Sequence, residues 1–312
     1  MSTHAYRTID VPVRGGDLRV AVWDPLNGDD PDVAPAVLLI HGVTASHLSW
    51  PLVVERLPFA RVIAPDLRGR GRSNGLAGAA GLEAHAADLV AALDAVGVQR
   101  ALVVGHSMGA FVALVLGDLH PDRVSGVVLV DGGLPLDLPD GLAPEEAIRL
   151  VLGPTADRLA MRFPSVDAYF DFWRAHPAFR RDWSPALEAY LAYDLVGDEP
   201  ELRPATSYAT LEEDSIDQNS GTAIADALAR LRHPTVLLTA ERGLLDQIPP
   251  LYSHDRLPAL LAAHPELEHV PVADVNHYTI AMSERGAGAV AAVVRDRVAA
   301  AAGASSVKTA QD

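Results

Sequence analysis

The apolar run Ala101-Leu102-Val103-Val104 ends on Gly105-His106-Ser107-Met108-Gly109, and Ala110-Phe111-Val112-Ala113-Leu114 follows at once. The first run reads as a strand covered on both faces, the second as the start of a helix. A strand that turns into a helix this sharply forces an awkward backbone conformation on the residue at the apex, here a serine. Small neighbours at Gly105 and Gly109 let strand and helix approach closely. The serine hydroxyl is then exposed above the sheet at a helix N-terminus, where backbone amides and the dipole favour negative charge. The five-residue motif says little without its flanks; with them it implies a parallel sheet with helices packed against it.

The rest of the first half fits that architecture. Arg19–Trp23, Ala36–Ile40, Arg61–Ala64, Ala101–Val104 and Val124–Val130 read as strands, and Leu82–Val96 and Met108–Leu119 as helices. Gly97 and Pro121 stand where those two helices should stop. Strands alternating with helices predict an α/β fold with a mostly parallel central sheet and helices on both faces. After Asp131 the rhythm is lost until Thr235–Thr239 and Glu268–Val272. Ten of the chain's 17 aromatics fall between Phe163 and Tyr208. They make either the core of a helical subdomain or the lining of an apolar pocket. The expected organisation is a first core part at 1–133, an inserted, mainly helical cap at 134–228, a second core part at 229–302 and a flexible tail at 303–312.

Composition removes several chemistries. The net charge of −16 lacks the basic footprint that nucleic acids and anionic membranes require. There is no cysteine, hence no disulfide, thiolate nucleophile or Cys-ligated metal. The single lysine, Lys308, sits in the tail and is no candidate for Schiff-base chemistry. No secretory signal is visible and no apolar stretch reaches membrane-spanning length, so a cytoplasmic protein is expected. The Ala/Val-rich segment Ala287–Ala302, interrupted by Arg295, Asp296 and Arg297, reads as a closing amphipathic helix. The twelve histidines show neither His-Glu-x-x-His nor His-x-His spacing, so no metal site is expected.

In this order the motifs resemble the α/β-hydrolase fold superfamily, in its serine-nucleophile branch with an inserted cap. The resemblance implies that Ser107 is the nucleophile, and position 107 disfavours the Asp-nucleophile branches, dehalogenases and epoxide hydrolases. His41-Gly42-Val43 looks like the family's oxyanion loop, which would place the Val43 and Met108 amides on a tetrahedral oxyanion. Asp66-Leu67-Arg68-Gly69-Arg70-Gly71-Arg72-Ser73 resembles its Gly-rich loop. That spacing does not fit Gly-x-Gly-x-x-Gly, since the third glycine is Gly75, so the loop is taken as structural and no cofactor is expected.

His277, in Asp274-Val275-Asn276-His277-Tyr278 between the last strand and the closing helix, holds the place of the family's catalytic base. The acid has two candidates. Its usual place follows the penultimate strand, but Thr239-Ala240-Glu241-Arg242-Gly243 has glycine there, leaving Asp246 three residues on. Asp131 ends the strand after the nucleophile helix, an arrangement similar to haloalkane dehalogenases and some lactone hydrolases, and is favoured. The expected partner is a small, largely apolar ester or lactone. Carbon–carbon bond hydrolases, thioesterases and acyltransferases share such a triad, and a non-catalytic small-molecule receptor could share the fold; oligomeric state is not readable.

Overall fold

In the computed structural model of the 312-residue chain, the residues described are 3–26, 30–137, 139, 141, 143, 146, 148–150 and 154–309. Eight strands form one sheet: β1 (His4–Val13), β2 (Gly16–Pro25), β3 (Ala36–Ile40), β4 (Arg61–Pro65), β5 (Ala101–His106), β6 (Val124–Val130), β9 (Thr235–Arg242) and β10 (Leu267–Asn276). A two-stranded ribbon, β7 (Leu195–Val196) with β8 (Arg203–Pro204), lies between β6 and β9 in sequence.

The strand order is β1-β2-β4-β3-β5-β6-β9-β10. β1 and β4 each pair with β2 antiparallel, and the remaining pairings are parallel, as the sequence predicts for most of the sheet. The inner strands are covered on both sides because their side chains alternate between two apolar clusters. Val37, Leu39, Val104 and Val128 face one, with Val290 and Val294 of the closing helix; Leu38, Ile40, Val103 and Leu129 face the other, with Leu89 and Leu114. Removing one of these side chains, as in Leu38→Ala, costs about 2–5 kcal/mol.

Strand order places the site. From β3 the chain steps to β4 on one side, while β5 lies on the other side of β3. The loops leaving the carboxyl ends of β3 and β5 therefore diverge, and the crevice between them is where such sheets bind ligands. Gly42-Val43 leaves β3 there, and Ser107 leaves β5.

Local signals act as expected at several ends. Leu82–Ala95 is closed by Gly97 in the left-handed region (φ 73°), with Val98 N–H on Leu93 O and Gly97 N–H on Asp94 O, a Schellman pair of hydrogen bonds. β1, by contrast, has no signal in the sequence. It is an edge strand with only His4 and Val11 buried, so its apolar residues do not alternate.

Between β6 and β9 lie the helices Val166–Ala175, Pro185–Tyr193, Tyr208–Ser220 and Ala223–Ala229. The first three begin at Ser165, Ser184 and Ser207, whose side chains accept hydrogen bonds from Ala168, Leu187 and Thr210 amides. Each such cap is worth about 1 kcal/mol. The aromatics of this segment gather around Trp173, which meets Tyr169, Phe172, Phe179 and Tyr278 ring to ring. A buried Arg158–Asp194–Tyr169 trio sits beside them. Ile224, Ala227 and Leu228 instead join the apolar cluster of the Met108–Leu119 helix. The closing helix is Glu284–Thr309, extending past the expected boundary at 302, and 310–312 lie outside the described residues. Among the described residues, no helix is long and apolar enough to cross a membrane.

Candidate active site

Ser107 is held at φ 54°, ψ −122°, a conformation non-glycine residues rarely adopt. The two flanking glycines permit it. A Cβ on Gly105 would lie 2.1 Å from Gly109 O, and one on Gly109 would lie 2.2 Å from Ile40 O. The turn is pinned by Ser107 N–H on Val130 O at 2.9 Å.

The Ser107 hydroxyl lies 3.0 Å from His277 Nε2, and His277 Nδ1 lies 2.7 Å from Asp131 Oδ2. A carboxylate at Nδ1 requires the proton there, which leaves Nε2 free to accept from Ser107. Asp131 is fully buried, and its second oxygen accepts from the Ala240 amide at 3.0 Å. Its own amide donates to Leu238 O at 2.8 Å, so β9 holds both the carboxylate and the backbone that carries it.

Asp246 lies elsewhere. Arg242 Nε donates to its Oδ1 at 2.6 Å and Asn276 Nδ2 at 3.0 Å. Burial opposes its ionisation, but these two hydrogen bonds outweigh burial and hold the carboxyl below its ordinary range. Asp274 is committed to Arg181 at 2.9 Å and to Arg242. Of the acids considered from sequence, Asp131 is the one brought to the imidazole.

The other two motif histidines are buried supports. His106 Nε2 donates to the backbone carbonyl of His277 at 2.7 Å, and burial, reinforced by His277, pushes it down to about 3. His41 Nδ1 donates to Gly42 O at 2.8 Å, while Nε2 accepts from Leu67 N at 2.9 Å. Burial pushes His41 to about 4, so both rings are neutral near pH 7.

Val43 and Met108 line the same cavity as Ser107 and His277. Neither of their amides has an intramolecular acceptor among the described residues. Arg70 braces both residues: Nε donates to Val43 O at 2.8 Å, and one terminal nitrogen lies 3.7 Å from Met108 Sδ. Its other terminal nitrogen pairs with Asp214, on the helix Tyr208–Ser220, and that carboxylate also meets His85 Nε2 at 3.0 Å. Within the rest of the Gly-rich loop the amides turn inward. Asp66 accepts from Arg72 N, His47 N, His47 Nδ1 and the Tyr193 hydroxyl at 2.6–2.9 Å. Burial alone would raise this carboxyl; the hydrogen bond and charge of His47 outweigh it and hold it at about 2. Arg68 forks onto Asp88 at 2.9 and 3.1 Å.

Three residues had no sequence signal. Arg70 and Asp214 owe their place in the site to tertiary contacts, with each other and with Val43, Met108 and His85. Asn276 donates to Ala178 O at 2.8 Å and to Asp246, and its Oδ1 accepts from the Tyr278 and Thr279 amides, shaping the turn that carries His277.

The cavity over Ser107 has a volume of about 60 Å³, room for a handful of waters. Its walls include Phe111, Leu136, Ile148, Leu211, Leu244 and Leu251, with Asp214, Ser215, Gln218 and Asn219 from the helix Tyr208–Ser220. Of the two readings open for the ten aromatics between Phe163 and Tyr208, the pocket lining is not the one observed: none of them is in this lining. Phe163, Tyr169, Phe172, Trp173 and Phe179 pack on one another, and Trp173 and Phe179 on Tyr278, as the core of the helical segment, whereas Tyr193 meets His47 and Tyr208 is exposed. Among the described residues, no group of three or more His, Cys, Asp or Glu side chains is placed to hold a metal ion.

An eight-stranded, mostly parallel sheet with a serine on the β5 turn and a histidine after the last strand defines a class. The family profile for the alpha/beta hydrolase fold matches residues 35–279, and the chain belongs to that family. Among curated relatives it is 36% identical over 172 residues to lipase LipV of Mycobacterium tuberculosis, covering 50% of this chain and 64% of that one. It is 43% identical over 98 residues to epoxide hydrolase B of the same organism, covering 30% of this chain and 28% of that one. The chain thus spans less than two thirds of the length of these relatives. The solved structure of E-2-(acetamidomethylene)succinate hydrolase superposes with a TM-score of 0.76 at 19% identity, over 94% of this chain and 99% of that one. A thermophilic esterase from Thermogutta terrifontis gives 0.65 at 24% identity, over 93% and 99%. At such identities the two structures establish the fold alone.

Proposed function

We propose that this protein is a serine hydrolase that cleaves a carboxylic ester or lactone of a small substrate through an acyl-enzyme. The observation that carries the reading is the unbroken relay of two hydrogen bonds, 3.0 Å from Ser107 Oγ to His277 Nε2 and 2.7 Å from His277 Nδ1 to Asp131 Oδ2.

In this mechanism His277 takes the Ser107 proton as Oγ attacks the carbonyl carbon. Charge gathers on the carbonyl oxygen, where the Val43 and Met108 amides receive it. Asp131 stabilises the imidazolium, which then protonates the departing alkoxide. Water, activated by the same imidazole, releases the acid and restores Ser107. A pair of such amides is worth several kcal/mol, since loss of one oxyanion donor costs about 10²–10³ in turnover.

The partial likeness to epoxide hydrolases favours a second reading less well. A serine oxygen that opened an epoxide would form an ether, which offers water no carbonyl to attack, so turnover would stop. An aspartate in that position would form an ester instead; position 107 is serine. Steady-state assays on a panel of short-chain esters, lactones, thioesters and epoxides test the assignment. Turnover of esters or lactones is expected, and turnover of epoxides alone would contradict it.

A further inference from the structure

We propose that the substrate of this site carries an uncharged hydrogen-bonding group, a hydroxyl, ketone or amide, read by Gln218 with Ser215. The inference rests on the acyl-transfer reading above and concerns what the cavity selects.

Leu211, Asp214, Ser215 and Gln218 recur at the three- and four-residue spacing that places them on one face of the helix Tyr208–Ser220, and all four line the cavity that holds Ser107. One wall of an otherwise apolar cavity is therefore polar. Two of its four polar residues, Asp214 and Asn219, are already committed. Asp214 is occupied by Arg70, by His85 and by the Gly81 amide at 2.8 Å. Asn219 turns back on its own helix, with Nδ2 2.8 Å from Ser215 O and 3.3 Å from Ser215 Oγ.

Gln218 is different. Its side chain is half-buried, and among the described residues it has no intramolecular hydrogen-bond partner. A carboxamide facing a confined space offers two donors and an acceptor. An alkyl group pressed against it would strip its water and return nothing. A hydroxyl or carbonyl at that position would satisfy it. The Ser215 hydroxyl, one turn earlier, can donate to or accept from the same group.

The group is uncharged because the cavity has no spare counter-charge. Among the described residues, no lysine or arginine is in its lining, and the carboxylate of Asp214 is matched by Arg70 behind it. A substrate carboxylate would meet the Asp214 charge without a partner, and a substrate ammonium would have to compete with Arg70 for it.

The test compares p-nitrophenyl butanoate, p-nitrophenyl 3-hydroxybutanoate and mono-p-nitrophenyl succinate as substrates. Wild type is expected to show kcat/KM about tenfold higher for the hydroxylated ester than for butanoate, the worth of one net hydrogen bond. The succinate ester is expected to be the poorest of the three. In Gln218→Leu and Gln218→Met, each checked for fold by circular dichroism, the hydroxyl preference should fall to near unity. Butanoate preferred by wild type, a preference that survives both substitutions, or succinate as the best substrate would each overturn the proposal. Hydrolysis of none of the three, with no fluorophosphonate label on Ser107, would contradict the acyl-transfer reading itself and this one with it.

Discussion

Asp131 and His277 are 146 residues apart in sequence, yet the carboxylate Oδ2 lies 2.7 Å from the imidazole Nδ1, at the carboxyl ends of β6 and β10, the two parallel strands that flank β9. β6 thus supplies the acid, and β10 delivers the histidine.

That pairing separates two substitutions. Asp131→Asn puts a neutral amide against Nδ1 and no longer fixes the proton there, so ester turnover should fall on the order of 10⁴-fold. Asp246→Asn removes a partly exposed pair with Arg242, and turnover should stay within about threefold. A larger loss at Asp246 in steady-state assays would reassign the acid.

His106 should matter without touching substrate. Its Nε2–H holds the His277 carbonyl, and His106→Phe leaves that buried acceptor unpaired. A shift of the imidazole by a fraction of an ångström is expected to lower kcat about 10- to 100-fold, with KM little changed. Parallel kcat and KM measurements check this, and a KM effect alone would argue against it.

The Arg70–Asp214 pair gives a stability prediction. Both groups are buried, and burial opposes the ionisation of Asp214 while Arg70 and His85 lower it overall. Arg70→Met strands the carboxylate and should cost about 3–5 kcal/mol in urea unfolding. Adding Asp214→Asn keeps an acceptor for Gly81 and His85 while removing the charge, and should recover a large part of the loss.

Asp66 predicts a pH dependence. Its carboxyl is held at about 2 in the fold, below the unfolded value near 3.8, so its contribution is complete above about pH 4 and fades as pH falls toward 2. The gap in Tm between wild type and Asp66→Asn should therefore be widest near neutrality and narrow across that window. A gap that stays constant down to pH 2 would show that charge at Asp66 is not what stabilises the loop.

How far the sequence reached depends on which forces specify each feature. Strands covered on both faces must be continuous apolar runs, so Ala36–Ile40 and Val124–Val130 match the observed ends residue for residue. An edge strand such as β1 has no such requirement and left no trace. The serine turn was legible because its glycines answer a steric demand. The acid could be narrowed to two residues because Gly243 stands where an aspartate would be expected, but only tertiary packing separates them. The same limit hid Arg70 and Asn276, whose roles depend on partners far away in sequence, and Gln218, which has no hydrogen-bond partner among the described residues. The aromatics between Phe163 and Tyr208 stand out in the sequence as a cluster, whereas the mutual packing of Phe163, Tyr169, Phe172, Trp173 and Phe179 depends on tertiary contacts that composition does not encode.

The central claim is that Ser107 is the atom that bonds to substrate. Stopped-flow mixing with p-nitrophenyl butanoate, followed by mass mapping of a fluorophosphonate adduct, tests it directly. Wild type should release a burst approaching one nitrophenolate per chain and carry a single adduct on the peptide containing Ser107. In Ser107→Ala both should vanish; an undiminished burst, or an adduct on another residue of wild type, would contradict the account.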